Sequence, residues 1–83
     1  MTPKKNLTGP QIRKARESKS LTERDLSDLC RKNDVELSPE EIEEIEAQSR
    51  EVSDFELIAL AEALEVSGTL LLFGDGPLPW EKA

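Results

Sequence analysis

The 83-residue chain has no histidine, no tyrosine and a single cysteine, Cys30. A lone cysteine forbids an internal disulfide and, with no histidine beside it, rules out a Cys/His zinc cage. The missing histidine also removes the commonest general acid or base. Aromatic side chains are limited to Phe55, Phe73 and Trp80, so the core must be built from Leu, Ile, Val and Ala, a set that suits packed helices. No apolar run approaches the roughly 18 to 20 residues of a membrane span, and the N-terminus lacks the apolar stretch of a signal peptide. These absences predict a soluble, cytoplasmic protein with no membrane partner, and the length allows one domain with a modest core.

Charge is what the sequence has in quantity, at 35% of residues, and it is unevenly placed. Residues 1–24 carry seven basic side chains against Glu17 and Glu23, whereas residues 25–83 carry four against sixteen acidic ones, giving a net charge of −7. A nucleic-acid-binding surface draws much of its affinity from phosphate neutralisation. Only the first quarter of this chain can supply such a surface, with Lys4, Lys5, Arg13, Lys14 and Lys19 as candidate phosphate contacts.

Helix-start signals divide the chain. Residues 1–8 read as a polar, mobile arm. In Thr8-Gly9-Pro10-Gln11 a cap, an early proline and a box-closing Gln predict a first helix over 9–19, with Ile12 and Ala15 inward. Thr22 and Asp25 open a second helix ending near Asn33, with Leu26, Leu29 and Cys30 on its apolar stripe; Cys30 reads as a small core residue rather than a reactive thiol. Val35 and Leu37 lead into Ser38-Pro39-Glu40-Glu41, where Ser38 caps, Pro39 takes the first helical position and Glu41 closes the box. The third helix has an apolar edge at Ile42 and Ile45 and is otherwise almost wholly carboxylate.

Ser53-Asp54-Phe55-Glu56 opens a fourth helix over 54–64. Its apolar residues, Phe55 and Ile58 among them, surround it, which predicts the central element of the core. A last short helix follows Val66-Ser67 and ends at Gly74. Residues 74–83 form a Gly/Pro-containing tail that its prolines keep from being helical. Leu78 and Trp80 are too apolar for a solvated tail, so they pack back on the domain or serve as dimer contacts.

Ile12-Arg13-Lys14-Ala15-Arg16-Glu17, Leu21-Thr22-Glu23, Ile42…Ile45-Glu46, Arg50…Val52-Ser53-Asp54 and Leu60-Ala61-Glu62-Ala63-Leu64-Glu65-Val66-Ser67 together resemble the Cro/C1-type helix-turn-helix family of phage repressors and bacterial regulators, the XRE family. The likeness spans residues 9–73. It implies an all-α, five-helix, lambda-repressor-like domain in which helices 2 and 3 bind double-stranded DNA for transcription regulation, helix 3 enters the major groove, and homodimers read two half-sites. It further implies a structural ion pair between Arg16 and Glu46. Family positions that meet bases and nearby backbone fall at Glu23, Pro39, Glu40, Glu41, Glu43 and Glu44, and Arg50 matches a phosphate-contacting position in the following loop.

The acidity of those positions conflicts with operator reading. One Glu can accept a hydrogen bond from cytosine N4, but four on one face approach a polyanion without the counterion release that drives binding. Like-charge juxtaposition costs several kcal/mol, comparable with the ~4 to 10 kcal/mol separating specific from non-specific sites. The helix dipole accounts for Glu40 and Glu41 in the first turn and not for the acids beyond it. Three readings follow: a regulator that binds DNA weakly or with a shifted footprint through the basic residues; a protein-interaction module whose acidic helix meets a basic protein partner; and a scaffold redesigned on this backbone, since Ser-Pro-Glu-Glu caps and Glu-rich faces are features of idealised helices. Catalysis is not expected, because Gly74-Asp75-Gly76 lacks the Lys-Ser/Thr of a phosphate loop. Neither is a cofactor or a metal, because the glutamates lack a loop supplying a full oxygen shell.

Overall fold

A computed structural model describes residues 4–73, which form five helices: α1 (Gly9–Ser18), α2 (Glu23–Lys32), α3 (Pro39–Glu46), α4 (Asp54–Leu64) and α5 (Gly68–Phe73). No helix among these residues is long and apolar enough to cross a membrane. Capping boxes start α2, α3 and α4: Thr22, Ser38 and Ser53 each accept a hydrogen bond from the backbone N–H three residues on, and Asp25, Glu41 and Glu56 return the bond.

The start of α1 differs from expectation. The Thr8 side chain makes no capping bond, and its hydroxyl is buried without a partner among the described residues. Asn6 takes the role instead, its Oδ1 accepting from the Gly9 N–H at 2.8 Å. Its Nδ2 donates to the carbonyls of Ile45 and Arg50, Lys5 N–H donates to the Gln48 carbonyl, and Gln48 Nε2 donates to the Asn6 carbonyl. Lys5 and Asn6, expected in a mobile arm, are therefore tied to the end of α3. The approach is close: a Cβ on Gly9 would stand 2.4 Å from the Ile45 carbonyl oxygen and 2.8 Å from that of Glu46.

Four helices close in the same way without glycine. Ser20, Asp34, Gln48 and Glu65 each adopt a left-handed conformation with φ near 60°. The N–H of the next residue then returns to the last turn, from Leu21 to the Arg16 carbonyl, Val35 to Cys30, Ser49 to Glu44 and Val66 to Ala61. In three cases that next residue, Leu21, Val35 or Val66, is apolar and packs against the core.

The core lies between α1, α2, α3 and α4, with Leu71 of α5 closing it. Ile12, Leu26, Cys30, Ile42, Ile45, Leu60 and Leu64 are fully buried. The α2–α3 connection is fixed by Leu37, which is buried while its carbonyl accepts from the buried Ser27 hydroxyl. The fourth helix corrects the sequence expectation. It buries Ala59, Leu60, Ala61 and Leu64, but Phe55 and Ile58 face solvent at 78% and 56% exposure. Its neighbours α1, α2 and α5 leave its outward side open.

Candidate functional site

Helix α3 is held from both ends. At its start, Glu41 accepts from the Ser38 N–H at 2.9 Å and from Arg50 Nη2 at 3.3 Å. The backbone hydrogen bond from Ser38 holds the Glu41 carboxyl below its ordinary range, with Arg50 acting in the same direction. Arg50 continues to Glu56 on α4, at 3.0 and 3.2 Å, and this bidentate contact raises the guanidinium pKa while lowering that of Glu56. At the other end, Arg16 Nε and Nη2 donate to the two oxygens of Glu46 at 2.7 and 3.0 Å. Arg16 Nη1 also donates to the Leu21 carbonyl and lies 3.6 Å from Glu23. The Arg16 and Glu46 side chains are 9% and 6% exposed, so each charge depends on the other for compensation.

The residues singled out in the sequence thus separate into two groups. Arg16, Glu23, Glu46, Glu41 and Arg50 are engaged with one another or with Glu56. Arg50, matched above to a phosphate-contacting position, is spent on internal carboxylates. Pro39 is half-buried at the start of α3. Glu40, Glu43 and Glu44 are exposed and make no ion pair with any described residue. Glu40, Glu43 and Glu44 line one shallow cleft with Ala47 and Ser49, and Glu43 borders a second beside Arg13. What faces outward from α3 is negative.

Of the cations near the N-terminus, Arg13 shares a cleft with Glu43. Arg13 borders α3 but bonds Glu17 at 3.3 Å, one helical turn away on α1. Lys14 lines a groove with Val66 and Leu70. Lys19 lies between α1, α2 and α4, 3.4 Å from Glu65. Lys4 and Lys5 are exposed. Arg13, Lys14 and Lys19 thus line three different grooves.

Cys30 is fully buried, and burial pushes its thiol up to about 11. No group of three His, Cys, Asp or Glu among the described residues is arranged to hold a metal ion. Leu78 and Trp80 lie outside the described residues.

The sequence reading missed Glu56 as the second partner of Arg50. The signal was present in its own capping box, which fixes that carboxylate at the start of α4. Asn6 was also missed, for want of any local pattern linking it to residues 45–50. A family model described as helix-turn-helix matches residues 12–71. No curated protein and no solved structure matches the chain.

Proposed function

This chain belongs to the Cro/C1-type (XRE) helix-turn-helix family, a regulatory DNA-binding family, and from that membership we propose a regulatory domain that acts by protein contact. In this reading the exposed face of α3 engages a basic protein surface in place of an operator. The observation that carries it is the state of α3 and its loop. Glu40, Glu43 and Glu44 project without an ion pair to any described residue, and Arg50, whose charge also acts on Glu44, is bonded to Glu41 and Glu56. A phosphate backbone approaching this face would meet net negative charge and release no counterions there. A cationic protein patch would gain the same charges as attractive rim contacts that steer encounter.

Weak, shifted DNA binding through Lys4, Lys5, Arg13, Lys14, Lys19 and Arg50 is the competing reading; Arg13, Lys14 and Lys19 line three separate grooves and Arg50 is engaged by Glu41 and Glu56, which weighs against it. The redesigned-scaffold reading meets a different obstacle. Idealised helices are closed with glycine at the left-handed position, whereas here Ser20, Asp34, Gln48 and Glu65 hold it.

The test is a fluorescence-anisotropy titration of the protein with generic duplex DNA. No binding is expected even at ~20 mM salt, where phosphate attraction is least screened. Binding that weakens steeply as salt rises would overturn the proposal and favour DNA.

A further inference from the structure

The outward side of α4 carries a pattern that the fold does not use. Asp54, Ile58 and Glu62 follow one another at four-residue intervals, and Phe55 stands three residues before Ile58, so all four lie on one helical face. Phe55 and Ile58 are exposed at 78% and 56%; Asp54 and Glu62 are exposed and form no ion pair with any described residue, Glu62 standing at the edge of a cleft that Lys19 and Lys32 also line. An aromatic and a β-branched side chain one turn apart in water carry a hydration cost that a partner would relieve. The acids at both ends of the pair set what that partner must be.

The geometry points to this face as a docking surface for a basic amphipathic segment of a partner protein, one that lays apolar side chains on Phe55 and Ile58 and Lys or Arg against Asp54 and Glu62. Charge decides the occupant. A second copy of this chain, packed symmetrically on Phe55, would bring the same carboxylates face to face in a molecule of net charge −7, and such juxtaposition costs several kcal/mol. A segment with apolar centre and cationic ends meets complementary charge at both. The surface is separate from the acidic edge of α3 and does not depend on the reading of that helix.

The test uses isotope-labelled full-length protein and, as probe, a synthetic helix-forming peptide with leucine on one face and lysine at both ends. Chemical-shift changes are expected to centre on Phe55, Ile58 and Glu62, and Phe55→Ser with Ile58→Ser is expected to weaken binding roughly tenfold or more. Asp54→Asn with Glu62→Gln should weaken it and reduce its salt dependence. Glu40→Gln, Glu43→Gln and Glu44→Gln together should leave it within about twofold. All these sites are exposed, so the variants keep the fold, which the amide spectrum verifies. Shifts centred on α3, or affinity unchanged by the Phe55/Ile58 variant, would overturn the proposal. So would sedimentation that finds a dimer of the native chain abolished by Phe55→Ser, because the occupant would then be a second copy.

Discussion

Arg16 and Glu46 join α1 to the end of α3 through two parallel hydrogen bonds, 2.7 and 3.0 Å long, with both side chains almost wholly out of water. Removing one partner strands the other charge, so Glu46→Ala should lower unfolding free energy by about 3 to 5 kcal/mol. Replacing the pair by Arg16→Met and Glu46→Leu should cost less than Glu46→Ala alone. Urea denaturation of the two variants measures the difference. Equal losses would mean that orphaning the Leu21 carbonyl, which Arg16 also serves, offsets what is regained by removing the stranded charge.

Arg50 and Glu56 set the response to acid. The bond from Arg50 lowers the Glu56 pKa from an ordinary 4.5. A carboxyl depressed on folding contributes stability above its unfolded value and loses it as pH falls through the folded one. Stability should therefore drop as pH falls below about 4.5. Glu56→Gln should flatten that drop while lowering stability at neutral pH. Urea midpoints measured across the range are the check.

Gly9→Ala ordinarily favours a helix by ~1 kcal/mol, and here the sign should reverse. The added methyl would meet two backbone carbonyl oxygens at 2.4 and 2.8 Å, neither of which can rotate away. We expect a destabilisation of about 1 to 3 kcal/mol, read from the thermal midpoint.

Glu40→Gln, Glu43→Gln and Glu44→Gln together should bring generic duplex binding into a measurable range at ~20 mM salt. Three like charges would be removed from the face nearest the groove without altering the capping Glu41. If anisotropy stays flat, the acids of α3 are not what keeps DNA away.

Cys30 should resist alkylation at pH 8 in native protein and react once urea unfolds it, because its thiolate is disfavoured by burial and the folded value is about 11. Since the unfolded thiol titrates near 9.0, stability should decline as pH rises from there toward the folded value. Mass spectrometry after a timed iodoacetamide pulse reports the reactivity.

Much of this fold was legible because its start signals are local. Thr22-Asp25, Ser38-Glu41 and Ser53-Glu56 need only a three-residue reach, and all three boxes form. Thr8 has the same look and fails: its backbone is already helical at φ −90° and ψ −18°, whereas the three working caps are extended, and Asn6, held by Ile45 and Arg50, takes the Gly9 N–H. Phe55 and Ile58 were misread for a related reason: an apolar helix does not reveal which of its sides will lack a neighbour. The left-handed closures escaped because glycine is their usual mark, and only the apolar Leu21, Val35 and Val66 that follow betray them. For the candidate site, the sequence located Arg50 in the loop after α3. Its commitment to Glu41, nine positions earlier, and Glu56, six later, is a property of folded space.

The ties from Lys5, Asn6 and Gly9 onto the last turn of α3, together with the Ser38–Glu41–Arg50 brace at its first turn, leave that helix little freedom to reorient. A binding partner would therefore meet a preset template, and association would spend almost nothing on ordering it. Selectivity at such a surface falls to the visitor: it must bring the matching shape already made.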